Sequence, residues 1–116
     1  MNPTLRPAQA TIQVRQERDQ TQKADAGKPR MELIPTSVYH ALGKVLTHGA
    51  NKYGDNTWQN VSVDRYVGAL LRHLCAFLED PYGLDVESGL PHTAHLLANA
   101  AFINHYVETT APHPPC

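Results

Sequence analysis

The amino-acid sequence predicts an all-α fold: a small bundle of three main helices, completed by association with further copies of the chain. Three observations point there. Apolar residues recur at helical spacing in three separate stretches. Each stretch is bounded by residues that start or stop helices. No segment alternates apolar and polar residues as a half-buried strand does.

The first helix follows Pro35, with Thr36 or Ser37 as its expected cap. Val38, Ala41, Leu42, Val45 and Leu46 form its apolar stripe, and it ends near Gly49 to Gly54. The second starts after Ser62 or Asp64, carries Tyr66, Val67, Leu70, Leu71, Leu74, Phe77 and Leu78, and stops at Pro81. The third begins around Pro91, a residue suited to a first helical turn, and fades at Glu108. Its apolar residues Ala94, Leu97, Ala98, Ala101, Phe102, Ile103 and Tyr106 cover much of its circumference, which predicts burial on more than one side. The connections 51–61 and 80–90 are longer than a helix–helix link requires and are therefore functional candidates.

Residues 1–24 read as a polar tail with a short helix around Ile12–Gln22 that would be marginal alone. Residues 25–108 form the helical domain, and residues 109–116, broken by three prolines, form a second tail. A domain of this size has a thin core and needs a metal, a disulfide or a partner chain. Of the two cysteines, Cys75 sits in the second helix pattern and Cys116 is the last residue, so no disulfide framework is expected. A homo-oligomer, dimer or tetramer, supplies the missing burial. The polar N-terminus and the lack of a long apolar run predict a cytoplasmic protein without a membrane segment. The net charge of −1 hides an asymmetry: residues 1–30 hold six Lys/Arg against three Asp/Glu, residues 31–116 four against eight. The acidic body predicts no direct DNA binding, which requires a basic face.

The densest polar cluster is E-D-P-Y-G-L-D-V-E-S-G-L-P-H-T-A-H-L-L-A-N, from Glu79 to Asn99. Asp85 and Glu87 lie in the loop, while His92, His95 and Asn99 follow at offsets of three and four and share one helical face. His73 stands on the second helix in the stripe of Tyr66, Leu70 and Phe77, where a buried imidazole needs a partner. Antiparallel packing of the last two helices would bring His73 and Glu79 towards His92 and His95. Imidazole with carboxylate binds divalent transition metals, and carboxylates also suit magnesium or manganese. Hydrogen-bonded histidines without an ion are the competing explanation. A second constellation, Gly49 to Trp58, offers Lys52 for a phosphate and Tyr53 or Trp58 to stack on a base. Its alternative is a glycine helix cap with Trp58 plugging the core. A third, D-A-G-K-P-R, offers Lys28 and Arg30 to anionic oxygens or to solvent. Arg72 adjoins His73 and points partly off the buried face.

In order and spacing, G-K-P-R-M-E-L-I-P, H-G-A-N-K-Y-G, a Trp, R-Y-x-x-A-L-L-R-H and D-x-E-S-G-x-x-H-x-x-H-x-x-x-N resemble the phage-associated dATP/dGTP diphosphohydrolase domain. That domain is related to the MazG-like all-α nucleotide pyrophosphohydrolases. The resemblance spans about residues 25–107. It implies a helical homo-oligomer, a divalent metal, and cleavage of a purine deoxynucleoside triphosphate to monophosphate and pyrophosphate in a bacterial or phage-infected cell. Magnesium is the first expectation, with manganese or another transition ion suggested by the histidines. Asp85, Glu87, His92 and His95 would hold metal with His73 and Glu79 completing the set. Glu87 or His95 would act as general base. Lys52, Lys28 and Arg30 would neutralise phosphate, with Arg72 a further candidate. Asn99 would bond a phosphate or sugar oxygen, and Tyr53 or Trp58 would pack on the base. The departure is that MazG-like enzymes place E-E-x-x-E and E-x-x-D where this chain has histidines. The same basic and aromatic residues would also serve a non-catalytic, nucleotide-binding oligomer, and a structural helical subunit is a third reading.

Overall fold

The computed structural model describes residues 26–112. The expected N-terminal tail with its short helix, and residues 113–116 of the expected C-terminal tail, lie outside them. The chain divides into two units between Leu33 and Ile34. In the first, Met31–Leu33 forms a 3-10 turn closed by Leu33 N–H donating to Arg30 O at 3.1 Å, and Arg30 Nε pairs with Glu32 at 3.0 Å.

The second unit holds three α-helices: α1 (Thr36–Tyr53), α2 (Val63–Glu79) and α3 (His92–Thr110). No strand occurs among the described residues, which have only an isolated antiparallel bridge between Leu84 and Pro91. The predicted stripes form the predicted helices, and three details of their ends differ. Pro35 caps α1 instead of Thr36 or Ser37: its extended ψ of 145° turns the chain in, and Val38 N–H reaches its carbonyl at 3.0 Å. Pro91 likewise caps α3 from outside its first turn, because the bridge to Leu84 holds it extended. At the far end α3 runs past Glu108, with the hydroxyls of Thr109 and Thr110 bonding carbonyls four residues back at 2.8 and 2.7 Å. Helix α1 continues through Gly49 and stops at Gly54, whose φ of 101° falls where glycine is favoured.

Helix α3 packs against both α1 and α2. Small residues make this close approach feasible: Ala94 and Ala98, one turn apart, are buried with Val45 of α1, and Ala98 has no exposed surface. Ala41, Leu42, Leu90 and Phe102 pack around them. The expectation that α3 is covered on two sides therefore holds. One end of the bundle is closed by aromatic rings. The 3-10 turn Thr57–Asn60 places Trp58 against Phe102, stacked at 4.8 Å, and Tyr66 meets the same Phe102 at 4.8 Å. The Tyr66 hydroxyl donates to the Trp58 carbonyl, tying the turn to α2.

Helix α2 carries two apolar stripes. Tyr66, Leu70, His73 and Phe77 are partly buried. Val67, Leu71, Leu74 and Leu78 are exposed, at spacings of four, three and four. That is the seam spacing of helices that pair with other helices.

Candidate functional site

The chain between α2 and α3 folds back on itself. Asp85 N–H donates to Leu90 O and Gly89 N–H to Asp85 O, both at 2.8 Å. Gly89 takes a φ of 72°, a conformation that other residues adopt at a cost. The Asp85 carboxylate organises the turn: Oδ2 accepts from Ser88 N–H at 2.8 Å and Glu87 N–H at 3.2 Å. This is the Asx-type closure expected of an aspartate at a turn.

Asp85 is thereby presented to the histidines of the two helices. His73 of α2 and His92 of α3 bring their Nδ1 atoms to 2.9 Å. His95, one turn on, stacks on His73 with ring centres 4.6 Å apart and planes 9° apart. Its Nε2 lies 2.6 Å from the Ser88 hydroxyl and 3.9 Å from Asp85 Oδ2. Donor atoms of His73, Asp85 and His92 all fall within 4.8 Å of one another. Of the juxtaposition predicted from antiparallel packing, the approach of His73 to His92 and His95 is thus present and that of Glu79 is not; the three histidines and Asp85 are half-buried.

The surroundings set the protonation. Burial pushes the His73 imidazole below its ordinary value, and the neighbouring His95 adds to this. Burial does the same to His95, against the opposing pull of Asp85. Burial favours protonation of Asp85, yet the Ser88 hydrogen bonds and the adjacent imidazoles leave its carboxyl below the usual range. His73 and His95 are therefore held towards the neutral imidazole and Asp85 towards the ionised carboxylate, the states in which each can donate a lone pair.

Other expected ligands are placed differently. Glu79 is exposed at the end of α2 and stands outside the converging group. Glu87 also stands outside it: its carboxylate pairs with Lys52 of α1, and His48 Nε2 lies 3.9 Å away. That pair draws the Glu87 carboxyl down and the Lys52 ammonium up. Lys52, expected to meet phosphate, is thus held by an internal anion. His95 is beside the donor group rather than in it.

A groove of about 1150 Å³ lies among α1, the Thr57–Asn60 turn, α2 and α3; His73, Asp85, His92 and His95 are not among its lining residues, and Arg72 and Asn99 are the lining residues nearest to these histidines in sequence. Tyr53, Trp58, Arg65, Arg72, Asn99 and Phe102 are among its lining residues. Of the expected base platforms, Tyr53 is 66% exposed, whereas Trp58 is occupied by Phe102 and by His105 at 4.9 Å, so the core-plug alternative describes its packing. Asn99 is only 6% exposed and donates its amide to His95 O at 2.7 Å. That bond runs back along α3 itself, so the side chain is turned onto its own helix instead of standing free on the surface. Lys28 and Arg30 belong to the separate N-terminal unit.

Two residues of the site were not singled out from the sequence. Ser88 bridges Asp85 and His95, and the D-x-x-S turn pattern was the available signal. His48 opens the H-G-A-N-K-Y-G motif and faces Glu87 across the loop. Among the described residues no helix is long and apolar enough to cross a membrane.

Comparison with known proteins adds a family to this geometry. The family described as dATP/dGTP diphosphohydrolase, N-terminal, matches residues 18–112. A protein of Salmonella phage PMBT28 named dATP/dGTP diphosphohydrolase is 36% identical over 81 residues, covering 70% of this chain and 28% of its own length. The chain therefore spans little more than a quarter of that relative. No solved structure matches it.

Proposed function

This chain belongs to the dATP/dGTP diphosphohydrolase N-terminal family, and from that premise we propose that it is a metal-dependent nucleotide pyrophosphohydrolase. Its substrate in this reading is a purine nucleoside triphosphate, dATP or dGTP, and its products are the monophosphate and pyrophosphate. The observation that carries the reading is the convergence of His73, Asp85 and His92 between α2 and α3, the two helices that also give Arg72 and Asn99 to the wall of a large groove.

The donor set fits a divalent cation: two imidazoles and one carboxylate, prearranged by the Asp85 turn and by the His95 stack. His73, His92 and Asp85 would hold it. A bound cation in such a site polarises phosphate oxygens and lowers the pKa of an attacking water. The chain's own residues do the rest. Arg72 and Arg65 line the groove and neutralise phosphate charge, with Arg72 next to His73 in sequence. Lys52 lies across from the turn and exchanges Glu87 for a phosphate oxygen. The Ser88 hydroxyl, hydrogen-bonded at 2.6 Å to a His95 Nε2 that burial keeps unprotonated at neutral pH, takes the proton of the attacking water and passes its own to that nitrogen. Exposed Tyr53 covers the base.

The balance is simple. Water adds to the α-phosphorus, the bond from that phosphorus to the α–β bridging oxygen breaks, and pyrophosphate leaves with the oxygen. Purified chain given dGTP, dATP and other triphosphates with a panel of divalent ions should release monophosphate and pyrophosphate in equal amounts, resolved by chromatography. Nucleotide binding without products under every ion would replace this reading with nucleotide capture by a non-catalytic oligomer. The single carboxylate in the donor group favours that second reading.

A further inference from the structure

We infer that the cation site is built for a divalent transition ion of the zinc and cobalt class, held by His73 Nδ1, His92 Nδ1 and the Asp85 carboxylate, and not for magnesium. The inference rests on the proposed hydrolase reading for its purpose, but its geometry stands alone. Magnesium takes oxygen ligands and keeps several waters, and it gains little from imidazole nitrogen. Zinc and cobalt take imidazole readily. Two of the three donors here are nitrogens, and they come from different helices.

The spacing is the stronger argument. Metal–nitrogen bonds of about 2.0–2.1 Å put two nitrogens on one ion about 2.9 Å apart at a right angle and about 3.4 Å apart in a tetrahedron. The two Nδ1 atoms stand 2.9 Å apart. Donors on opposite sides of an ion are about 4.2 Å apart at those bond lengths. The widest separation allowed in the group is 4.8 Å, so closing it takes a shift of at most about 0.6 Å for a donor opposite a nitrogen and about 1.4 Å in a tetrahedron, within reach of a turn side chain. Without an ion, one Nδ1 carries the proton shared between the rings. With the ion, that proton sits on the same ring's Nε2 after exchange with solvent, so both Nδ1 lone pairs point inward. His95 is the positioning residue: parallel to His73 at 4.6 Å, it fixes the plane of that ring, and its Nε2 is engaged by Ser88. Three protein ligands leave at least one position open, as in hydrolytic sites.

The test uses the full chain without a polyhistidine tag, stripped of metal and titrated with cobalt and with zinc. Cobalt should give the visible absorption bands of a nitrogen-ligated ion at one equivalent, zinc should abolish them, and a large excess of magnesium should not. His73→Ala and His92→Ala should weaken zinc binding by about 100-fold and Asp85→Asn by at least about 10-fold, while Glu79→Gln stays at the parental value. His73→Gln serves as a second variant, because truncation of a half-buried ring can unsettle the bundle; circular dichroism confirms folding of each. Magnesium displacing cobalt, or histidine variants binding zinc as the parent does, overturns the inference. Pyrophosphate release is scored separately. Turnover with magnesium and no cobalt bands overturns the ion assignment and leaves the hydrolase reading intact. Cobalt held by the histidine pair with no pyrophosphate release upholds the site and removes the hydrolase reading.

Discussion

Replacing Phe102 with Ala tests how the bundle holds its loop elements in place. Phe102 is half-buried and carries two ring contacts, Trp58 at 4.8 Å and Tyr66 at 4.8 Å. A fully buried Phe→Ala change costs about 3–5 kcal/mol. Partial exposure of this ring reduces that part to about 2 kcal/mol. Two lost aromatic pairs add about 0.5 kcal/mol each, the lower end of the usual range because these rings are partly exposed, bringing the total to about 3 kcal/mol. That is roughly a hundredfold in the unfolding equilibrium, and a fall in Tm of about 12–24 °C for a domain of this size. Trp58 is the single tryptophan, so its emission reports both unfolding and its local surroundings. Urea and thermal unfolding, at one fixed protein concentration, should show the loss together with red-shifted emission in the folded variant. A loss below about 1 kcal/mol with unchanged Trp58 emission would refute the claim that Phe102 anchors the turn.

Tyr66, whose phenol burial raises above its ordinary value, should give a late component in an alkaline absorbance titration. A raised acid stabilises the fold below its unfolded value, so stability should decline as pH climbs from about 10 through the folded value, and Tyr66→Phe should abolish that late component. Gly89→Ala meets no atom within 4 Å, so its cost is backbone conformation alone, about 1 kcal/mol by thermal shift, and Gly89→Asn should recover part of it. The exposed seam Val67, Leu71, Leu74 and Leu78 should place the chain in a homo-oligomer. Light scattering should then give a multiple of 12.8 kDa, reduced to that mass by Leu71→Glu combined with Leu78→Glu; a parental mass of one subunit would remove the expectation.

Where the chain's own periodicity carried the information, the sequence was legible. Three apolar stripes specified three helices, and the position of His73 among Tyr66, Leu70 and Phe77 aimed it at α3, where His92 and His95 meet it. Glu79 failed for a reason that the same periodicity contains. Six residues beyond His73 is a rotation of roughly 240° around the helix, which points it elsewhere. Glu87 and Lys52 are 35 residues apart, and nothing local announces their pairing. Asn99 shares the face of His95, but whether that face meets a ligand or a neighbouring helix depends on how closely α1 approaches, which Ala94 and Ala98 decide through packing. The capping prolines misled because an extended Pro outside the helix and a helical Pro within it look alike in sequence.

The Asp85 turn makes one carboxylate serve two masters. The oxygen that accepts from Ser88 and Glu87 shapes the backbone, and the same side chain completes the donor group between the helices. Two residues on in the same turn, Glu87 reaches Lys52 on α1. Three residues of loop, Asp85 to Glu87, thus connect the donor group between α2 and α3 to the third helix of the bundle.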